Sequence, residues 1–284
     1  MNLQLECIPC LIRHGYDISD QALSASDRER FLREVLAWAS VLNYAQVPPL
    51  AAREMYDMLH RTTGIDDPFA RIKERSNAKA LQCYPVLKDA VAASGDPFDT
   101  ALRIALAGNM IDYGRQSADG IDMERVVRSF LAAEFALDHR DRLRRILEGA
   151  TNVLYILDNA GEIVFDRVFI EQIGQDRVTC AVRAVPIIND VTLKDAEQAG
   201  LTGICRVMSS GSGASGTPMA VCTDEFRDVF AKADLVIAKG QGNFESLHEE
   251  EREVFHLFVA KCPVISREVG VAEGSALAFF NTCA

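Results

Sequence analysis

Four stretches place residues that can do chemistry directly behind apolar runs. Asp158-Asn159-Ala160-Gly161-Glu162 follows NVLYILD (152–158), and Pro186-Ile187-Ile188-Asn189-Asp190 follows RVTCAVRAV (177–185). The Ser/Gly-rich SSGSGASG (209–216) follows GICRVM (203–208), and Lys239-Gly240-Gln241-Gly242-Asn243 closes ADLVIAKG (233–240). Asp158 ends its run with no local basic partner, and a carboxylate buried unpaired is costly. Asp158, the amide oxygen of Asn159 and Asp190 offer hard oxygen ligands. Magnesium or manganese takes such ligands and leaves positions open for water and substrate oxygens. The plainer reading of Asp158 is a helix cap; a second acid at the equivalent strand end favours the metal.

Lys239 is a point charge beside a Gly-Gln-Gly turn whose backbone amides can approach a ligand closely, which suits a phosphate. Its plainer reading is a surface lysine. The Ser/Gly loop has amides and hydroxyls for phosphate oxygens, but no Gly-Lys-Ser/Thr follows, so it is not a P-loop. No G-x-G-x-x-G follows the first apolar run, which argues against a dinucleotide, and the single Gly161 weakens an S-adenosylmethionine site. Cys7-x-x-Cys10 has metal or redox spacing; a thioredoxin-like redox site needs a strand-to-helix context that this stretch lacks, and a closed zinc site needs two more ligands, which His14 or Cys83 would have to bring through the fold. Two partly buried cysteines without metal are the alternative. Asn109 and Asp112 lie three apart in ALRIALAGNMIDYG, on one face if helical, and read by composition as a buried hydrogen-bonded pair. His60, His139, His248 and His256 share no spacing.

These residues need elements to carry them. Residues 11 to about 148 read as helix: FLREVLAWASVL (31–42) puts Phe31, Val35, Trp38 and Leu42 on one face. Pro48 and Pro49 open LAAREMYDMLHRTTG, which Gly64 ends. Pro85, Pro97 and the turn at 117–122 punctuate later helices, and MERVVRSFLAAEFAL (123–137) again has helical spacing. From Thr151 the pattern becomes short β-branched runs, with CPVIS (262–266) as the last. They alternate with amphipathic segments: EIVFDRVFIEQIG, VTLKDAEQAG, TDEFRDVFAKA and EREVFHLFVAK. Strand alternating with helix predicts a mostly parallel or mixed sheet covered on both faces, with ligands outside the carboxyl ends of its strands. The expected fold is an all-helical domain over residues 1–150 joined to an α/β/α three-layer domain over 151–284.

Composition sets outer bounds. With 284 residues, 49% apolar, the chain can bury a real core, and no apolar run is long enough to span a bilayer. A net charge of −11 argues against nucleic acid as a partner. MNLQLECIPCLIRHG lacks the pattern of an export signal, and eight cysteines are too sparse for a disulfide scaffold, so a reducing cytoplasmic setting is expected. Cys180 and Cys205 read as buried thiols.

Together these motifs resemble the metal-dependent damage-control phosphatase family (domain of unknown function 89), and within it the stand-alone prokaryotic branch with an N-terminal Cys-x-x-Cys. The resemblance rests on Glu6-Cys7-x-x-Cys10, Gly108-Asn109-x-Ile111-Asp112-x-Gly114, Asp158-Asn159-Ala160-Gly161-Glu162, Asn189-Asp190-Val191-Thr192 and Lys239-Gly240-Gln241-Gly242-Asn243-Phe244-Glu245, in that order. It implies a divalent cation (manganese, magnesium, cobalt or nickel) on Asp158, Asn159 and Asp190, with Lys239 facing the phosphate. It also implies that Asp112 joins Asp158 and Lys239 in catalysis, and that Asn109, Glu162, Gly240 and Asn243 touch the substrate. Cys7 and Cys10 are left for a second metal or a structural role. The substrates implied are small phosphorylated metabolites: sugar phosphates, phosphopantetheine compounds and related damaged species. Neither nucleic acid nor membrane is an expected partner, and the sequence does not fix an oligomeric state. The nucleophile is a metal-polarised water or a carboxylate such as Asp158; water is favoured because Asn159-Ala160 breaks the D-x-D pairing of haloacid-dehalogenase-like phosphatases. The rival readings are an S-adenosylmethionine-dependent methyltransferase and a non-catalytic metal- or metabolite-binding protein.

Overall fold

The computed structural model describes residues 1–110 and 131–281. Asp112, Ile111, Gly114, the turn at 117–122, most of the expected helix at 123–137 and Cys283 lie outside them. The chain begins with five helices: α1 (Cys7–Ala22), α2 (Ala25–Ala39), α3 (Pro48–Thr63), α4 (Ala70–Ala92) and α5 (Pro97–Met110). Ser24 caps α2 by accepting from the Asp27 amide, and Phe31, Val35 and Leu42 are buried as their spacing predicts. Pro48 and Pro49 start α3, and Gly64, at φ +70°, closes it with a left-handed cap. Pro85, expected to break the chain, instead lies inside α4. It faces solvent, where water can satisfy the carbonyl that the missing N–H leaves free.

The remainder runs β1 (Phe135–Asp138), α6 (Arg140–Gly149), β2 (Val153–Ile156), α7 (Glu162–Ile173), β3 (Val178–Val182), α8 (Leu193–Gln198), β4 (Arg206–Ser209) and α9 (Asp224–Lys232). It ends with β5 (Leu235–Lys239), α10 (Gln241–Leu247), β6 (Phe255–Val259), α11 (Pro263–Val269) and β7 (Ala276–Phe280). Among the described residues the seven strands are ordered β1-β7-β6-β5-β2-β3-β4. Every neighbouring pair is parallel except β6–β7, so the sheet is mixed and mostly parallel, as expected.

Four elements differ from the sequence expectation, one of them β7, whose apolar run ALAFF was not read as a strand. CPVIS opens helix α11, because Pro263 at its first position is pre-set for helical φ and Gly270 ends the turn. EREVFHLFVAK contains β6, buried along its whole length; a strand covered on both faces loses the period-two alternation by which strands are recognised. Phe135–Asp138, read as helix, is edge strand β1 beside β7, so residues before 150 also supply the sheet.

Alternation along the central strands fixes what each face meets. Tyr155 and Ile237 point into the core shared with α5, α6 and α7, whereas Leu154, Ile156, Val236 and Ala238 point to the opposite face, against Phe226 and Phe230 of α9. Gly108 lets α5 and α7 come very close: a Cβ there would lie 2.9 Å from Phe165 Cβ. That approach carries Asn109, one residue on, to the carboxyl ends of the strands.

Candidate active site

Asp158 and Asp190 meet where two loops leave neighbouring strands. The chain stays extended beyond β2 and β3, with Val191 N donating to Asp158 O (2.9 Å), Ala160 N to Asn189 O (2.8 Å), and Asn159 bridged to Asp190. Ile188, at φ +46°, turns the second loop so that Asp190 points back to the first. A β-branched residue rarely takes this conformation, so the turn is strained where the acid is placed. Asn77 of α4 accepts from the Gly161 amide (2.7 Å) and fixes the start of α7.

Around Asp158 lies a dense polar cluster. Asp158 Oδ2 accepts from Asn159 Nδ2 (2.6 Å) and Asn109 Nδ2 (3.3 Å). Glu162, fully buried, accepts from the same two amides, at 3.0 Å from Asn159 and 3.2 Å from Asn109. The Asn109 amide is held in this orientation by Val259 N, which donates to its oxygen (3.2 Å). Asn159, by contrast, turns its nitrogen toward the carboxylates, and presenting its oxygen to a cation requires the amide to rotate over. Asp190 is met by Arg183 Nε (2.7 Å) and Ser215 Oγ (2.9 Å). Arg183 continues to Thr217, whose hydroxyl donates to Asn243 Oδ1 (2.8 Å), and Asn243 Nδ2 donates to Leu157 O and Lys239 O. Asn243 thus locks the ends of β2 and β5 together.

Lys239 is placed differently from the expectation that it faces a phosphate. Period two along β5 puts its side chain on the face of Ile237, beneath α5 and α7. It is fully buried, and Nζ donates to Glu162 Oε1 (2.7 Å), Asp166 Oδ1 (2.5 Å) and Ala105 O (2.8 Å). An ammonium has three hydrogens, and all three are used. Burial works against its charge, but Asp166 and Glu162 outweigh that and hold it above its usual range. The Ser/Gly loop is largely spent on the local backbone: Ser210 Oγ donates to Val182 O and Ser212 Oγ to Gly216 O, whereas Ser215 Oγ donates to Asp190. Cys7 packs on a cluster around Phe244, whereas Cys83 packs on the main core.

Gly240 brings the backbone of the turn after β5 close to Asp158. It lies at φ +79°, and a Cβ there would sit 1.9 Å from Asp158 Oδ2. Gly240→Ala is expected to displace Asp158 and remove activity while the far-ultraviolet circular dichroism stays native; a fully active Gly240→Ala protein would show that Asp158 need not stand where it does.

The electrostatics are one-sided. Burial first, then the charges of Glu162 and Asp190, push Asp158 well above the usual carboxylate range, against Arg183 and Lys261. Asp190 is also raised, by burial, despite Arg183 and Ser215. Burial pushes Asp166 up to about 7 against the pull of Lys239. An acid whose folded value is raised stabilises the fold below its unfolded value and loses that contribution as pH rises through the folded one. Urea stability is therefore expected to decline from about pH 4 to about pH 7, less steeply in Asp166→Asn; an unchanged slope in that variant would remove Asp166 from the account.

Residues that sequence reasoning missed include Arg183, Asp166, Asn77 and Lys261. Arg183 carried a signal, being the one charge within the apolar run RVTCAVRAV apart from its opening arginine. Lys261 follows β6, is exposed, and acts on Asp158 through its charge.

The chain matches the Damage-control phosphatase ARMT1-like domain over residues 3–277. It belongs to that family. A damage-control phosphatase of Pyrococcus horikoshii is 34% identical over 99% of both chains, and one of Archaeoglobus fulgidus is 34% identical over 98% of this chain and 99% of its own. The crystal structure of a DUF89 family protein from Pyrococcus horikoshii superposes with a TM-score of 0.90 at 33% identity, covering 99% of this chain and all of that one. The damage-control phosphatase fold therefore spans the helices and the sheet alike. Among the described residues no helix is long and apolar enough to cross a membrane.

Proposed function

We propose that the chain is a metal-dependent phosphatase acting on phosphate monoesters of small metabolites, with Asp158, Asn159 and Asp190 holding the cation. One observation carries this reading: buried negative charge that the protein does not itself neutralise. Asp158, Glu162, Asp166 and Asp190 are buried together; among the described residues Lys239 and Arg183 are the buried cations paired with them, while Lys73, which also acts on Asp190, is paired with Asp67 and Asp195. With all six ionised, two negative charges are left over, which is the charge of a divalent cation. The surplus centres on Asp158, whose Oδ1 finds its nearest cation, Arg183, only at 3.9 Å. The donors are oxygens, suited to manganese or magnesium rather than a soft metal.

When bound, the cation supplies Lewis-acid stabilisation of a phosphoryl oxygen. The chain's own residues do the rest. Arg183 and Ser215 hold Asp190, Asn109 orients Asp158 and Glu162, and Lys239 pairs with Glu162. Lys261, exposed at the edge of the cluster, takes the direct phosphate contact that the buried Lys239 has no hydrogen left to make. Lys261→Ala should raise KM for a phosphate ester about ten- to a hundredfold, the range for a hydrogen bond to a charged group, with metal response unchanged. An unaltered KM would return the phosphate contact to another residue.

Family membership favours this reading over a methyltransferase or a passive binder. Phosphate release from sugar phosphates and phosphopantetheine compounds, with manganese, magnesium, cobalt, nickel or chelator, tests it. Release that requires metal supports the proposal; a full panel without release under any metal, or methyl transfer from S-adenosylmethionine, would overturn it.

A further inference from the structure

The Cys7-x-x-Cys10 pair plays no part in the proposed phosphatase chemistry, yet it lies beside residues that bound the site. Cys7 is half-buried and opens α1, and Cys10 is exposed one turn later. Cys7 and Cys262, the residue after Lys261, pack on the same cluster around Phe244 and Phe279. Burial, with Glu245, Cys10 and Cys262 nearby, raises the Cys7 thiol. Gln241 joins this corner to the site: its Nε2 donates to Cys262 Sγ (3.5 Å) and Glu245 Oε1 (2.9 Å), and its Oε1 accepts from the Lys261 amide (3.0 Å). The segment before α1 clamps the same elements. The Met1 ammonium donates to Glu245 O (2.8 Å), Glu6 pairs with Arg267 of α11 (2.6 Å), and the Gln4 amide donates to Cys7 Sγ (3.5 Å).

We propose that Cys7 and Cys10 form a reversible disulfide, and that closing it loosens the clamp on Gln241 and Lys261. Helix geometry sets residues three apart at a Cα separation of about 5 Å, inside the roughly 4.4–6.8 Å that a disulfide spans. The side chains must still draw together, and the first turn of a helix is where backbone gives most readily. The oxidant is a small disulfide such as oxidised glutathione. The Cys10 thiolate attacks one of its sulfurs, the external S–S bond breaks, and one glutathione leaves as thiolate. The Cys7 thiolate then attacks Cys10 Sγ, the Cys7–Cys10 bond forms, and the second glutathione leaves. Two protein thiols are oxidised, one external disulfide is reduced to two thiols, and the two protein protons pass to them. A raised Cys7 pKa leaves its reduced form without thiolate stabilisation, which favours the closed disulfide, the reverse of strongly oxidising Cys-x-x-Cys pairs. Closure pulls Cys7 Sγ toward Cys10, away from the Gln4 amide and the cluster it shares with Cys262.

The test uses the full chain equilibrated in glutathione buffers of graded redox poise, trapped by alkylation and mapped by non-reducing peptide mass spectrometry, with amide hydrogen exchange on both end states. Cys7 and Cys10 should lose alkylation together in one two-electron transition. Cys7→Ser should stop at a glutathione adduct on Cys10, and Cys262→Ser should still close. Exchange should quicken severalfold over 241–245 and 261–269 in the oxidised parent and not in oxidised Cys7→Ser. A bridge mapped to Cys262, independent alkylation of the pair across the series, or identical exchange in the two end states would overturn the proposal. None of these readouts needs a substrate, so the outcome is separate from that of the phosphatase reading.

Discussion

Asp158→Ala is expected to abolish turnover and the response to divalent metal, and yet to raise the melting temperature of the metal-free protein. The two effects have one origin. Asp158 is buried and repelled by Glu162 and Asp190, so without a cation its charge works against the fold. Alanine removes that repulsion and frees the Asn109 and Asn159 amides to serve Glu162 alone. In the parent, cation at about a hundred times its dissociation constant adds about 2.7 kcal/mol to unfolding stability; that increment should vanish in the variant. Turnover should fall by about a thousandfold or more, the upper end of losses for one charge-stabilising group. Thermal unfolding with and without manganese, beside phosphate release, reads all three quantities. A variant that melts lower than the parent without metal, or still gains stability from manganese, would place the cation elsewhere.

Lys239→Met is expected to damage the fold more than the chemistry. The ammonium joins Glu162 and Asp166 of α7 to the Ala105 carbonyl of α5, with no access to solvent. Taking one partner from a buried ion cluster typically costs about 3–5 kcal/mol, because uncompensated charge remains. In a chain of this size that corresponds to a fall of about 5–8 °C in melting temperature. Asp166→Asn added to Lys239→Met should restore a good part of the loss, since the amide removes one stranded acid while keeping a partner for Tyr155. A single variant that melts like the parent would mean that Lys239 is not the keystone of this cluster; a double variant no better than the single would shift the burden to Glu162.

The contrast between these two residues shows what the sequence could and could not reveal. That Asp158 and Asp190 share one edge was legible, because parallel strands bring their following residues together whatever the details of packing. That Lys239 turns inward was legible in principle from the alternation of β5, but a residue at the end of a strand invites the assumption that it faces out. Its partner Asp166 looked like one polar position in an amphipathic helix, since nothing local shows which helix face the sheet will cover. β6 and β7 were hidden for a related reason. Interior strands carry apolar residues on both faces, and FHLFV and ALAFF have no period to betray them. α11 hid behind Pro263, which ends one kind of element and begins another. Long-range partners such as Asn109 with Val259 N, or Asn77 with Gly161 N, leave no trace in spacing at all.

The position of β7 has a consequence for how the molecule is made. This strand, the last in sequence, is not at the rim of the sheet; it lies between β6 and β1, so Phe135 waits for Ala276 across half the chain. A nascent chain therefore carries Asp158, Asp190 and Lys239 out of the ribosome while β1 and one side of β6 still lack their neighbour. Unpaired apolar edges of this kind are where chains stick to one another. Yield in the cell should thus depend on how quickly the final strand follows β6, and slowing translation just ahead of it should send more product into aggregates than the same delay placed before β2.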